Sequence, residues 1–390
     1  MPALYRPTGL VASPLPPDNG GLYDKTEAFL RHFTAQMATL ADQRLCSRTP
    51  PHVAMNTPRR NKHLQRVNLK KEEREALAEL RLATRFTENP TTGKLDPPRV
   101  VISNADKNLG LTIVDYEWFR DECTSQLANT KFYTRIPARQ ATQRAFSAYR
   151  HLELVCIAGR RVRTPSEQAA ITAANSAKTK KAPSAAQKFL LSRPPSHPEH
   201  RIPSFYVIPK VHKPKLVGRP ITPAHRFTLA PACDFITSAL HPLCSLVPEI
   251  LRDSTQLVLE LDDVAPHRAL QSLDPWQEIY LVTGDVESLY TNIPRDLCLS
   301  LLRQLPIASV VIDLLELVFD YCLVQFDSQH YLQIDGFPMG ISPAPDVANL
   351  FLWLLLRNLG EPPRERLLYR RLIDDLFIIW RGTRASLDDY

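Results

Sequence analysis

Glycine is scarce in this 390-residue chain, with 12 in all, so few positions are left for Gly-rich loops that wrap phosphates. The seven cysteines are scattered singly, at Cys46, Cys123, Cys156, Cys233, Cys244, Cys298 and Cys322. They form no Cys-x-x-Cys pair and no Cys/His ligand spacing, which argues against zinc. An odd, dispersed set fits buried thiols in a reducing compartment. No apolar run approaches membrane-spanning length, and Met1 to Gly20 lacks a charged-then-apolar leader. A soluble, intracellular protein with no membrane partner is therefore expected. No internal repeat is present, which excludes solenoids and propellers.

Proline, by contrast, is abundant at 34 residues, and implies many extended connections. The length suffices for two or more domains with a sizeable core. Basic residues number 48 against 41 acidic, for a net charge of +7, which suits a polyanionic partner such as nucleic acid. The positive charge concentrates between Lys178 and Arg226, where Glu199 is the only acid. Ser, Ala and Pro dominate the first half of that stretch, as in a solvated linker. From Ile202 onward apolar and aromatic residues interleave with the charges, a pattern suited to nucleic-acid or nucleotide contact.

Along the chain, residues 1–22 read as a Pro-rich disordered arm. Asp24 to Glu27 has capping-box form and is followed by apolar residues at helical spacing to Leu40. A loop is expected over 46–68 and a helix over Glu72 to Phe86. Short β-like runs follow at Val100 to Ile102 and Leu111 to Val114, with Asp115 placed to cap a helix through Leu127. Residues 160–200 show little periodicity and read as a flexible basic linker. Phe205 to Ile208 is a short strand. Beyond 275 the pattern is mixed: a strand at Ile279 to Val282, helices near 295–304 and 309–324, a strand at Tyr331 to Ile334, an apolar helix ending near Asn358, and two short strands hinged at Asp374 and Asp375.

Adjacent acids flanked by Leu372-Ile373 and Leu376 to Ile379 are unusual, because burying unpaired carboxylates is costly. A sharp surface hairpin is one explanation. Metal coordination is the other, since a divalent ion turns such carboxylates into ligands. A further strand-end acid, Asp285, makes a two-metal phosphoryl-transfer site conceivable, although a strand-end Asp is also a common turn former.

The surrounding residues favour the metal. Asp285-Val-Glu-Ser-Leu-Tyr-Thr-Asn-Ile-Pro294 resembles motif A of reverse transcriptases, in the version of Penelope-like retroelements. Gly336-Phe-Pro-Met-Gly-Ile-Ser-Pro-Ala-Pro-Asp-Val-Ala-Asn-Leu-Phe351 resembles motif B of that family, and Arg370-Arg-Leu-Ile-Asp-Asp375 its motif C. Phe205 to Pro214 and Gly218-Arg-Pro-Ile221 resemble the fingers motifs, and Asn104-Ala-Asp-Lys107 with Leu111 to Asp115 a segment further upstream. Their order and spacing agree with the family over roughly residues 68–381.

The resemblance implies an α+β right-hand polymerase, with fingers and a partial palm behind a helical N-terminal extension. It divides the chain into a disordered arm (1–22), a helical extension (23–99), a fingers region (100–274, with the linker near 160–200) and a partial palm with motifs A, B and C (275–390). It implies an RNA-directed DNA polymerase using two Mg²⁺ ions, an RNA template, a DNA primer and dNTPs. Asp285 and Asp374 would be the principal metal ligands, with Asp375 a secondary carboxylate. Tyr290 would close the pocket under the sugar 2′-carbon and exclude a 2′-hydroxyl. Lys210, Lys213 and Arg219 would contact the triphosphate, Arg219 foremost, while the two lysines are equally suited to gripping the template backbone. Met339 and Gly340 would floor the nascent base pair, Asn349 is expected to be a satisfied polar residue, and His212 a neighbour or phosphate contact.

Leu372 replaces the aromatic residue usual in motif C. The sequence stops at Tyr390, shortly after that motif, where a family member would continue into the remaining palm, a thumb and often a GIY-YIG nuclease. A catalytically incomplete fragment that binds nucleic acid is therefore the alternative expectation. An interaction protein built on the N-terminal helices is a second. A telomerase-type enzyme is a nearer relative of the first reading, but residues 1–100 hold no recognisable telomerase RNA-binding domain. A nuclear location is expected from the resemblance alone.

Overall fold

The computed structural model describes residues 83–85, 87–88, 95–96, 98–177, 182–262 and 278–390. The arm at 1–22, the helix expected over 24–40, the loop at 46–68 and nearly all of the helix at 72–86 lie outside the described residues. In chain order the strands and helices are β1 (Thr87–Glu88), β2 (Leu95–Asp96), β3 (Val100–Asn104), β4 (Leu111–Asp115), α1 (Tyr116–Leu127), β5 (Tyr133–Ile136), α2 (Ala138–Ala158), α3 (Pro165–Ala177) and α4 (Ala185–Leu190). Then follow β6 (Tyr206–Pro209), β7 (Gly218–Ile221), α5 (Ala230–Cys244), α6 (Ser254–Asp262), β8 (Ile279–Asp285), α7 (Leu289–Asn292), α8 (Arg295–Leu302) and α9 (Ser309–Asp320). The chain goes on through β9 (Leu323–Phe326), β10 (Gln329–Gln333), α10 (Ala344–Asn358), β11 (Arg366–Leu372), β12 (Asp375–Arg381) and α11 (Arg384–Asp388). This is an α+β chain whose sheets are small and antiparallel where their pairing is resolved.

Two compact units form. Of the described residues, one comprises those up to Gln126 together with Tyr206–Pro220, and the other those of Leu127–Phe205 and Ile221–Tyr390.

In the first unit β3 and β4 pair antiparallel, with Ile102 opposite Ile113, and β6 pairs with β7. Asp115 caps α1 as its position in the sequence suggests: its Oδ1 accepts from the Glu117 and Trp118 amides at 2.7 and 3.3 Å. Helix α1 then grips β7, because Glu122 Oε1 accepts from the Gly218 amide (2.9 Å) and Gln126 Nε2 donates to the Gly218 carbonyl (2.8 Å). Gly218 lies so close to β6 that a Cβ there would stand 2.5 Å from Val207 Cβ. Only glycine fits that approach.

The second unit holds the main core. Helix α9 has a wide apolar face, with Val311, Ile312, Leu314, Leu315, Leu317, Val318 and Phe319 all buried, and an acidic stripe of Asp313, Glu316 and Asp320 opposite it. So wide an apolar face belongs inside a bundle, and α9 packs against α2, α5 and α8. Helix α10 lies against α5 and α8 in the same core. The same unit holds two three-stranded sheets, in the orders β5-β10-β9 and β11-β12-β8. The β9–β10 hairpin turns at Asp327 and Ser328, both at positive φ, as a two-residue turn of the I′ kind requires.

Residues 160–200, expected to be a linker, carry helices α3 and α4, a correction to the sequence reading. Ala-rich sequence has high helix propensity without needing an apolar stripe, so periodicity missed it. Ser184 and Gln187 close a reciprocal capping box at the start of α4. Arg161 and Arg163 fasten the segment to α9, each with Nη1 on Glu316 Oε1, at 3.0 and 2.7 Å. Lys178, Lys180 and Lys181 lie outside the described residues.

Candidate active site

The three aspartates come together at one end of the β11-β12-β8 sheet. Strand β12 runs antiparallel to both neighbours, and the register sets Asp375 directly opposite Asp285. Asp374 occupies the two-residue turn between β11 and β12, since Leu372 pairs with Asp375. The Val286 amide, one residue past Asp285, donates to the Asp374 carbonyl at 2.9 Å and ties the end of β8 to that turn. Asp285 and Asp375 are exposed and Asp374 is half-buried. Two carboxylates directly opposite on neighbouring strands repel one another, so nothing in sheet pairing itself favours acids here.

The backbone on both sides of the acids is strained. Ile373 has φ +59° and Ser288, three residues after Asp285, φ +52°. A β-branched residue in the left-handed region is an outlier that persists only when its surroundings impose it. For Ile373 the agent is Arg371, a residue the sequence reading did not single out. Arg371 is 1% exposed. Its Nη1 donates to Asn349 Oδ1 (2.8 Å) and to the Ile373 carbonyl (3.0 Å), and its Nη2 to the Asn349 carbonyl (2.8 Å). Its own backbone bonds to Glu249 and Leu251, each at 2.8 Å. Burial holds the guanidinium pKa below its ordinary value. Asn349 is buried on α10, and its side-chain and backbone carbonyl oxygens both accept from Arg371. Two adjacent arginines beside an apolar strand carry no sign in the sequence of which one turns inward. Arg370 instead bonds Glu260 at 2.6 Å.

The segment from Gly336 docks onto the segment after Asp285 through its backbone. Phe337 N–H donates to the Tyr290 carbonyl at 2.6 Å, so Tyr290, half-buried on α7, is held by the segment that follows Gly336. Met339 accepts from the Thr222 amide at 2.6 Å. Gly340 has φ +102°, and a Cβ there would stand 2.8 Å from Ile221 Cγ2. The Met339-Gly340 pair thus rests on the chain just after β7.

Lys210, Lys213 and Arg219 belong to the first unit. Lys213 is exposed and Lys210 half-buried in the β6–β7 hairpin, where the Lys210 amide bonds the Val217 carbonyl at 2.8 Å. Arg219 is paired with Asp106: its Nη2 donates to Oδ2 at 3.2 Å, and its Nε stands 3.1 Å from Oδ1 without forming a hydrogen bond. His212 is exposed on the same hairpin.

Among the described residues, no group of three or more His, Cys, Asp or Glu side chains is gathered to hold a metal by itself. The sheet end offers only hard carboxylate oxygens on neighbouring strands. Such an incomplete set fits Mg²⁺, which keeps several waters and draws further ligands from substrate phosphates. The described cysteines are free and mostly buried, and burial pushes Cys298 up to about 12 and Cys322 up to about 11. Among the described residues no helix is long and apolar enough to cross a membrane.

No protein-family model and no curated protein matches the sequence. Among solved structures, apo telomerase from Candida tropicalis is similar at 8% identity and a TM-score of 0.46, over 94% of this chain and 58% of that one. Telomerase from Candida albicans in complex with the TWJ fragment of telomeric RNA is similar at 9% identity and a TM-score of 0.46, over 83% and 51%. A C-terminally truncated Candida tropicalis telomerase gives 9% and 0.43, over 74% and 53%. The chain spans less than two thirds of the length of these telomerases.

Proposed function

We propose that this chain is an RNA-directed DNA polymerase of the Penelope-like retroelement type, which extends a DNA primer with dNTPs on an RNA template. The observation that carries the reading is the meeting of Asp285 with Asp374 and Asp375. Acids from two motifs nearly a hundred positions apart share one sheet end, against an electrostatic preference for keeping them apart. The five motif resemblances supply the reaction class.

Asp285 and Asp374 would hold two Mg²⁺ ions, with Asp375 beside them. When bound, the ions supply positive charge to the attacking and leaving oxygens of an in-line displacement. In that displacement the primer 3′-oxygen forms a bond to the α-phosphorus, and the bond from that phosphorus to the bridging oxygen of pyrophosphate breaks. The chain's own contribution is positioning, which accounts for most of the catalysis in phosphoryl transfer. Tyr290, anchored through its carbonyl, is proposed to stack beneath the sugar and exclude a 2′-hydroxyl. Met339 and Gly340 are proposed to support the nascent base pair. In the first unit, Arg219 is proposed as the phosphate contact, with Lys210 and Lys213 on phosphate or template backbone.

The test is primer extension by the purified chain on an RNA template with a DNA primer, dNTPs and Mg²⁺, beside an Asp285→Asn/Asp374→Asn variant. Extension by the wild type and its loss in the variant is the expected result. Absence of extension, with binding of the RNA–DNA duplex intact, would sink the polymerase reading in favour of a nucleic-acid-binding fragment.

A further inference from the structure

Resting on that reading, the geometry points to Arg371 as the positioning residue of the site: with Asn349 it sets the orientation of Asp374 from behind the sheet. Asp374 lies between two peptide groups, and each is pinned by a different element. The preceding peptide is fixed where Arg371 Nη1 donates to the Ile373 carbonyl at 3.0 Å. The following one is fixed where Val286 N–H donates to the Asp374 carbonyl at 2.9 Å. With both peptide planes held, the direction of the Asp374 Cα–Cβ bond is set before any ligand arrives.

The hold on Ile373 does mechanical work. An isoleucine in the left-handed region is disfavoured by contact of its Cβ with the backbone, and its side chain packs partly into the core, which resists a simple flip. The guanidinium is buried and reaches the turn and α10 at once through three bonds of 2.8–3.0 Å. Asn349 returns both its carbonyls, side-chain and backbone, to the same guanidinium, so α10 is the rigid support against which the turn is held. Lysine cannot copy this, because a single ammonium lacks the planar fork that serves two separated acceptors. Arg371 touches no substrate and is not a catalytic residue. It acts through Asp374.

Arg371→Lys and Arg371→Lys/Ile373→Gly, each in the full chain, test the assignment. The readouts are single-turnover nucleotide addition, dNTP half-saturation, Mn²⁺ binding by electron paramagnetic resonance, and the thermal unfolding midpoint. Loss of a group that orients a metal-binding side chain commonly lowers metal affinity or activity about 10–100-fold. Arg371→Lys is expected to slow nucleotide addition and weaken Mn²⁺ binding within that range, with dNTP half-saturation little changed. Glycine adopts positive φ without strain, so Ile373→Gly should restore much of both losses in the Arg371→Lys background. A purely structural arginine predicts otherwise: a lowered unfolding midpoint and no rescue by glycine, and that outcome overturns the assignment. Unaltered rate and Mn²⁺ affinity in Arg371→Lys also overturn it. If the wild type binds Mn²⁺ but does not extend primers, the polymerase reading alone fails and the Mn²⁺ titrations still decide the role of Arg371. A wild type that neither extends nor binds Mn²⁺ overturns both.

Discussion

Replacing Gly336 with alanine isolates the joint between motifs A and B. Gly336 has φ +67°, and a Cβ there would stand 2.8 Å from the Thr291 carbonyl oxygen and 3.1 Å from Thr291 Cα. Both are backbone atoms of α7, so no rotamer change relieves the clash. Gly159, which caps α2 at the same φ of +67°, provides the control, because nothing lies within 4 Å of its virtual Cβ. Moving alanine into the left-handed region costs about 1–2 kcal/mol. Reduced freedom of the unfolded chain offsets about 0.4–1 kcal/mol of that. Gly159→Ala should therefore destabilise by roughly 1 kcal/mol. Gly336→Ala carries the same balance plus about 1–3 kcal/mol for forcing backbone aside, for a total near 2–4 kcal/mol. Urea unfolding of the two variants, read as midpoint and slope, measures the difference. Because Phe337 N–H bonds the Tyr290 carbonyl at 2.6 Å, Gly336→Ala should also weaken primer extension more than its stability loss alone explains. Equal destabilisation by the two substitutions would refute the close approach of Gly336 to α7.

Other outcomes follow from single contacts. With divalent ions chelated, Asp285→Asn and Asp375→Asn should each raise the thermal unfolding midpoint by removing one of two directly opposed charges, while Asp285→Asn abolishes primer extension. A lower midpoint under chelation would show that the pair is not repulsive. Burial alone would raise the Glu316 carboxyl, but the bond from Arg163 and the charges of Arg161 and Arg303 hold it below its ordinary value. A depressed folded pKa gives stability that is complete above the ordinary carboxylate pKa of about 4.3 and is lost as pH falls through the lower folded value. Glu316→Gln should thus be less stable than wild type at pH 7, with the gap closing below about pH 4; urea midpoints across that range would show a constant gap if the account is wrong. Asp106→Ala leaves Arg219, which is partly solvent-screened, without its carboxylate, and should destabilise the first unit by about 1–3 kcal/mol. Hydrogen exchange of the β3–β4 amides would report that loss, and unaltered protection would contradict it.

About half of the described strands and helices were legible in the sequence, as was the placing of Asp285, Asp374 and Asp375 at strand ends. Alternation and apolar runs marked β8, α9, α10 and the β11–β12 hairpin, because side-chain periodicity is a local property of the backbone. Asp115 and its helix were legible for the same reason: a cap acts within three residues. Helices α3 and α4 escaped because intrinsic propensity and a capping box leave no apolar stripe to read. Register and side-chain direction, by contrast, depend on long-range pairing. That Asp375 rather than Asp374 stands opposite Asp285 follows from long-range strand pairing, where one residue of slip would exchange the two faces. That Arg371 turns inward while its neighbour Arg370 bonds Glu260 depends on which face of β11 meets α10. Arg219 resembled a phosphate contact in the sequence, and the fold set the Asp106 carboxylate against it. Strain at Ile373 likewise has no local signature, since isoleucine does not favour positive φ and only distant contacts hold it there.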